Sequence, residues 1–359
     1  MDKRGSDIGS ISPAINHILV IRLSAMGDVA MMVPVLAGLL RTYPQLRVTV
    51  LTRGFFAPMF SGLPRLRVHE VDTKGRHKGF LGLWRLFGEL RNMDIQAIAD
   101  LHRVLRSSVL RLFYLIRPIP FVRLDKGRKD KKALTASVNK RFLPLKSTHQ
   151  RYADVFGQLG FPISVEGMEP LPKREASNRV KSLLGDHTGP LIGVAPFAAF
   201  SGKMYPLERM GEVIGQLSGT GLGTIIFFGG GNAEVRQLDL WESKFEGCIN
   251  AAGKLSFAEE LELISQLRTM VAMDSGNAHL AAMFGVPTIT LWGITHPYAG
   301  FFPFGQPMEN ALLADREKYP LIPTSVYGNK FPEGYERVMH TIAPQSVVDR
   351  VKGLLADRA

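Results

Sequence analysis

Short apolar runs alternate with helical stretches along this chain, and the alternation stops once and restarts. His17–Arg22 reads as a strand, Gly27–Thr42 as a helix, Arg47–Thr52 as a strand and Phe80–Arg91 as an amphipathic helix. Ile95–Ala99 (strand), Val104–Leu115 (helix), Pro120–Arg123 (short strand) and Thr148–Leu159 (helix) follow. A stretch rich in Pro, Gly and charge, 161–190, then breaks the rhythm. The second round has strands at Leu191–Ala195, Thr224–Phe228, Met270–Met273 and Thr288–Trp292. Its helices are Leu207–Leu217, Asn232–Lys244, Phe257–Gln266 and Gly276–Phe284, and Pro344–Leu355 closes the chain after a loop-rich 295–343. Strands joined through helices pair in parallel, with helices on both faces of the sheet. Two such rounds in 359 residues predict two α/β domains, 1–170 and 171–343. The segment 344–359 is a last helix that could pack back on the first domain. Two domains of this kind place a cleft at the carboxyl ends of their strands.

Composition narrows the setting. The longest apolar run, Val29–Leu40, is well short of the ~20 residues a membrane span needs. It therefore reads as a buried helix. Lys3 and Arg4 are not followed by an apolar stretch, so the N-terminus does not read as a secretory signal. Cys248 is the single cysteine, which excludes an intrachain disulfide or a thiolate metal cluster and suits a reducing cytoplasm. The formal net charge of +12 is uneven: residues 1–170 hold 27 basic and 13 acidic side chains, and 171–359 hold 17 and 19. The first half is the one suited to an anionic partner.

Four segments carry candidate chemistry. Arg22-Leu-Ser-Ala-Met-Gly-Asp28 links the first strand to the first helix. Asp28 there reads either as a helix N-cap or as a general base at the end of the sheet. Gly229-Gly-Gly231 follows a strand and precedes Glu234. That carboxylate could accept from ribose hydroxyls or simply favour a helix start. Asp274-Ser-Gly-Asn-Ala-His279 joins a strand to a helix, so Ser275, Gly276 and Asn277 offer amides to an anion and His279 can point the same way. Lys203 lies in the loop Pro196–Pro206 and could supply a point charge to a phosphate or be a solvated lysine. There is no phosphate loop, dinucleotide fingerprint, zinc-protease motif or serine-hydrolase elbow. No Asp-x-Asp pair is present to hold a divalent metal on a nucleotide sugar.

Taken together, these segments resemble glycosyltransferase family 9, the ADP-heptose lipopolysaccharide heptosyltransferases. Asp274-Ser-Gly-Asn-Ala-His279, Gly285-Val-Pro287 and Leu291-Trp-Gly-Ile-Thr-His-Pro297 are similar to its nucleotide-sugar signature, and Arg22–Asp28 to its N-terminal one. Lys203 with Tyr205-Pro206 resembles its mid-chain lysine element, Tyr standing where Trp is more usual. The resemblance runs from about Ile18 to Phe304 and implies the GT-B fold, two Rossmann-like domains facing across a cleft. It implies inverting, metal-independent transfer of a heptose from ADP-heptose to the inner core of lipopolysaccharide, with no cofactor because the ADP-sugar is a substrate. Asp28 would be the general base, and Lys203 with Ser275, Gly276 and His279 would hold the diphosphate. Asp274 would orient Lys203 or the sugar, Glu234 would take the ribose, and Thr295, His296 and Pro297 would border the sugar. Ser24, Met26 and Gly27 would lie on the donor side. Where family members carry hydroxyls before the lysine, this chain has Ala198 and Ala199, so backbone groups would have to serve.

The implied acceptor is a phosphorylated glycolipid in an anionic leaflet. Two basic clusters suit it: Lys74, Arg76, His77 and Lys78, and then Arg123, Lys126, Arg128, Lys129, Lys131 and Lys132. Each could equally be a solvated loop. The expected place is the cytoplasmic face of the inner membrane, with transient surface contact. A relative using another nucleoside-diphosphate sugar for a different surface glycan is the alternative within the family. A nucleic-acid binder would share the basic charge, but the clusters lack interleaved aromatics. A nicotinamide enzyme would need the missing fingerprint, and a non-catalytic sugar-nucleotide binder would have Asp28 as a cap alone.

Overall fold

A computed structural model describes residues 15–117, 119–187 and 189–356; the N-terminal stretch read above for a signal lies outside them. The first sheet contains β1 (His17–Ile21), β2 (Arg47–Thr52), β3 (Leu66–Glu70), β4 (Ala97–Asp100) and β5 (Phe121–Arg123). Their order is β3-β2-β1-β4-β5 and every pairing is parallel. The second contains β6 (Leu191–Ala195), β7 (Thr224–Phe227), β8 (Cys248–Asn250), β9 (Thr269–Met273), β10 (Thr288–Trp292) and β11 (Ala311–Leu313). Their order is β11-β10-β9-β6-β7-β8, again all parallel. The central strands β1, β9 and β10 are buried at every residue, as continuous apolar runs covered on both faces must be.

The helices are α1 (Met26–Thr42), α2 (Gly79–Arg91), α3 (Leu105–Tyr114), α4 (Arg128–Leu134), α5 (Thr148–Gln158) and α6 (Asn178–Leu184). Then come α7 (Leu207–Ser218), α8 (Asn232–Lys244), α9 (Phe257–Gln266), α10 (Gly276–Ala282) and α11 (Pro344–Ala356). The expected α/β class and two-sheet organisation are therefore present. Periodicity does not reveal β3, β8, β11, α4 or α6, all short. β3 (LRVHE) is only partly buried, so it lacks the apolar run that marks its neighbours. Among the described residues no helix is long and apolar enough to cross a membrane.

Contacts divide the chain at 167/168 and also place two earlier segments in the second unit. Residues 15–24, 35–125 and 149–167 form one compact unit; 25–34, 126–148 and 168–356 form the other. Long-range bonds explain why 126–148 joins the second unit. Lys140 donates to the carbonyls of Leu134, Leu321 and Pro323 at 3.0, 2.9 and 2.7 Å. Leu145 N–H donates to Tyr298 O, and Thr148 Oγ1 to Gly300 O. The Phe142 ring lies against His296 and Tyr298, with the Arg316 guanidinium 3.4 Å from its centroid. In helix α11, Val347, Val348, Val351, Leu354 and Leu355 join the core of the second unit together with Val213, Ile214 and Leu217 of α7.

Candidate active site

In a doubly wound sheet, ligands bind beyond the strand ends where the winding reverses. In the second sheet that reversal lies between β6 and β9. The loop after β6 carries Lys203, and the loop after β9 carries Asp274 and Ser275. Lys203 ends a single 3-10 turn, Ser201–Lys203. Its Nζ lies 2.7 Å from Asp274 Oδ2 and donates to Asp274 O at 3.2 Å. An ammonium has three donors, so Asp274 leaves one for another oxygen. The stem of Lys203 lies against Gly328: a β-carbon there would meet Lys203 Cγ at 2.5 Å, and the backbone has φ +78°. Thr295 Oγ1 donates to Asp274 Oδ2 at 2.9 Å. Thr295 is almost fully buried, and its hydroxyl orients Asp274.

Ser275 precedes α10, and His279 stands on its first turn. The hydroxyl of Ser275 and Nδ1 of His279 are buried without a protein partner. Burial holds His279 well below its ordinary value, at about 4, with the Lys203 cation acting in the same sense and Asp274 and Asp28 opposing. His279 is therefore a neutral ring at physiological pH, able to donate or accept but not to supply charge. Because α10 has seven residues, an anion here would be met by the Lys203 cation more than by a helix dipole.

The start of α1 belongs to the same unit. A β-carbon on Gly27 would sit 2.8 Å from His279 Cδ2, and one on Gly276 would overlap Met26 Cε. Two glycines thus let two helix starts touch, which is the physical need for glycine at both places. Asp28 is the third residue of α1, not its N-cap. Its Oδ2 accepts from Ala25 N–H at 3.3 Å, the reach-back half of a capping box. Met26, Gly27, Asp28, Lys203, Asp274, Ser275, Gly276 and His279 are in this way assembled from three separated stretches.

Other expected site residues have protein partners of their own. Ser24 belongs to the first unit, where its hydroxyl is 3.4 Å from His102 Nε2. His102 Nδ1 accepts from Leu23 N–H at 3.4 Å, so the ring couples the loops after β1 and β4, the reversal point of the first sheet. Sequence reading missed His102; a histidine just past a strand end was the available signal. Glu234 accepts from Gly230 N–H at 2.8 Å and so closes the Gly-rich loop onto α8. His296 is buried, its Nδ1 accepting from Tyr298 N–H, and burial lowers it to about 4. It props the turn that starts at Pro297. Ala198 N–H donates to Met204 Sδ at 2.9 Å, so that amide is already used. The substituted Tyr205 is buried and donates from its hydroxyl to Ile342 O at 2.8 Å.

The basic clusters also separate. Lys74, Arg76 and Lys78 are exposed on the turn between β3 and α2. His77 is fully buried: its Nδ1 accepts from Asp72 N–H and its Nε2 is 3.2 Å from Glu89 Oε1. It shapes the turn and is not available to an acceptor. Arg123 donates to buried Asp100 at 3.3 Å and to Ser108 Oγ at 2.7 Å, which makes it the partly exposed counter-ion of a buried carboxylate. Lys126 and the four cations after it fall in the second unit, with Arg128–Lys132 on α4 and Lys131 Nζ 4.0 Å from the Phe301 ring centroid. Among the described residues, no group of three or more His, Cys, Asp or Glu side chains is placed to hold a metal ion.

Comparison with known proteins identifies the family. The sequence profile of glycosyltransferase family 9 (heptosyltransferase) matches residues 83–323. The lipooligosaccharide heptosyltransferase 2 of Haemophilus influenzae is 26% identical over 358 residues, covering 95% of this chain and 99% of that one. The lipopolysaccharide heptosyltransferase 2 of Salmonella typhimurium is 25% identical over 359 residues, covering 95% and 99%. Among solved structures, the family 9 glycosyltransferase of Veillonella parvula superposes with a TM-score of 0.75 at 21% identity, covering 97% of this chain and all of that one. ADP-heptose heptosyltransferase II of E. coli gives 0.66 at 20% identity, covering 95% and 99%. These neighbours share the GT-B type of fold with the two parallel-sheet domains described above. A profile match over more than half of the chain, full-length relatives and a polar constellation at the second sheet's reversal point establish that the chain is a glycosyltransferase belonging to family 9.

Proposed function

We propose that the chain transfers a heptose from ADP-heptose to the inner core of lipopolysaccharide, with inversion and without a metal ion or cofactor. The observation that carries this is the grouping of the Asp28 carboxylate, the Lys203 ammonium and the unpartnered Ser275 hydroxyl and His279 Nδ1 in one unit. The relatives are named for heptose transfer. The E. coli heptosyltransferase WaaC, of the same fold, has been solved with ADP.

In this reading the acceptor hydroxyl attacks the anomeric carbon as the bond from that carbon to the phosphate oxygen breaks. Asp28 takes the hydroxyl proton, a contribution of roughly 10²–10⁴-fold. The leaving ADP gains negative charge, which the third N–H of Lys203, Ser275 Oγ and the neutral His279 meet in a site already shaped for it. Asp274 holds Lys203, and Thr295 holds Asp274. Lys74, Arg76 and Lys78 receive the phosphates of an acceptor carried in an anionic leaflet, at the cytoplasmic face of the inner membrane.

The test is transfer from ADP-heptose, and from other nucleoside-diphosphate sugars, to heptose-free lipopolysaccharide core. Asp28→Asn keeps an oxygen for the Ala25 amide but has no base. It should keep wild-type thermal stability and ADP affinity while losing transfer by roughly 10²-fold or more. Full activity in that variant rejects Asp28 as base, and preference for another sugar rejects the heptose assignment.

A further inference from the structure

Large apolar side chains are normally exposed singly, but α2 and α3 expose a set. Leu81, Leu105 and Ile116 are 82%, 80% and 71% exposed, and Phe80, Trp84, Leu112 and Leu115 also lie open. On α3 and the turn after it, Leu105, Val109, Leu112 and Ile116 recur at helical spacing. They form a second apolar stripe beside the buried one made by Leu110, Phe113 and Tyr114. The seam between the helices joins this stripe to α2. The Phe113 ring meets Phe80 at 5.3 Å and Trp84 at 5.0 Å, both edge-on. The patch is thus continuous from Ile116 to Leu81. Both helices lie in the first unit.

Its charge says what covers it. Residues 79–91 and 105–117 carry five arginines, Arg85, Arg91, Arg106, Arg111 and Arg117, and one carboxylate, Glu89. That carboxylate is taken by His69, His77 and Arg76. Exposed Lys74, Arg76 and Lys78 stand on the turn that leads into α2. Two copies of this face packed together would set arginines against arginines. An anionic bilayer complements it, because apolar side chains enter the acyl boundary, tryptophan stays at the headgroup level and arginines reach phosphates.

We propose that the α2–α3 face docks the protein on an anionic lipid bilayer by inserting Leu81, Trp84, Leu105, Leu112 and Ile116. This deepens the proposed reading of a membrane-borne acceptor by naming the surface that meets lipid. Docking here combines insertion with charge. Each leucine-sized side chain withdrawn from water strengthens binding roughly tenfold, and each nearby arginine adds roughly fivefold.

The experiment is vesicle binding by the full chain, using phosphatidylethanolamine with about one third phosphatidylglycerol. Of the three tryptophans only Trp84 is open, since Trp241 and Trp292 are 6% and 1% exposed. Vesicles should therefore shift the emission to the blue, and brominated lipid should quench it. The triple variant Leu81→Glu, Leu105→Glu, Ile116→Glu changes exposed positions only, so folding should persist. It should bind vesicles at least 100-fold more weakly. Transfer to a delipidated, water-soluble core acceptor should stay at the wild-type rate. Wild-type protein that ignores the vesicles, a triple variant that still binds them, or bound protein with unshifted Trp84 emission overturns the proposal. So does patch-dependent dimerisation in place of vesicle binding. Loss of transfer to the soluble acceptor by wild type would instead strike the functional reading and leave vesicle binding to be judged separately.

Discussion

Replacing Lys203 by methionine separates two tasks of one ammonium, and the geometry sets the size of each. Methionine keeps most of the stem against Gly328 but leaves the carboxylate of Asp274 with the Thr295 hydroxyl and no cation. Removing one member of a buried ion pair costs about 3–5 kcal/mol. The Lys203 and Asp274 side chains retain 16% and 7% exposure, so solvent screening puts the cost near the lower end, about 3 kcal/mol. For a domain of about 200 residues that lowers Tm by roughly 6–12 °C. The double variant Lys203→Met, Asp274→Asn removes both charges and should recover most of the loss. Binding behaves differently. A charge-assisted hydrogen bond to phosphate is worth about 2 kcal/mol, so the Kd for ADP should rise roughly 30-fold. It should stay high in the double variant, which still lacks the cation. Differential scanning fluorimetry and ADP titration calorimetry on the single and double variants read both quantities. A lowered Tm with unchanged ADP affinity would make Lys203 purely structural. Unchanged Tm would refute the burial argument itself.

Four further outcomes are expected. Gly27→Ala sets a methyl 2.8 Å from His279 Cδ2, so thermal unfolding should show a loss of about 1–3 kcal/mol and ADP titration a weaker site; wild-type behaviour in both would mean that the two helix starts do not touch. His279 titrates near 4 when folded, against an ordinary 6.5. Its contribution is complete above about pH 6.5 and declines as the unfolded chain alone takes up a proton, reaching about 3 kcal/mol lost near pH 4. His279→Gln should flatten part of that slope in denaturant titrations across pH, and an unchanged slope would refute the assignment. Arg123→Ala leaves the buried Asp100 carboxylate without its cation and should cost about 2–3 kcal/mol, read by urea unfolding. Lys74→Ala with Lys78→Ala should leave stability alone and raise the acceptor KM, more so at low salt; the reverse pattern would return Arg123 to the acceptor.

How much of the site can be read in the sequence depends on whether its geometry is local. Asp274-Ser-Gly-Asn-Ala-His279 is a strand end running into a helix, so the order of residues alone places them together. The Lys203 loop follows the same logic. What order alone does not reveal is which side chains are already spent. His77 and Arg123 look like a basic cluster until burial and the carboxylates of Glu89 and Asp100 claim them. Nor does order reveal that Thr295 donates to Asp274 or that His296 accepts from Tyr298 N–H. Asp28 was open between cap and base, and its bond to Ala25 N–H shows that a first-turn carboxylate can hold the helix start while still standing near His279.

The amino-acid order by itself determined the α/β class, the two rounds of strand and helix, and the donor-side motifs, because strand burial and helix periodicity are written into residues a few places apart. Tertiary structure decided the division of the chain. It brought 25–34 and 126–148 into the second unit through a glycine contact at His279 and the carbonyl cage around Lys140. It also decided which charges are counter-ions and which are free for an anion, and it lined up Leu105, Leu112 and Ile116 with Trp84 on one open face. These are contacts between residues far apart in the chain. Their energies depend on distance and desolvation, which no local pattern of residue types encodes.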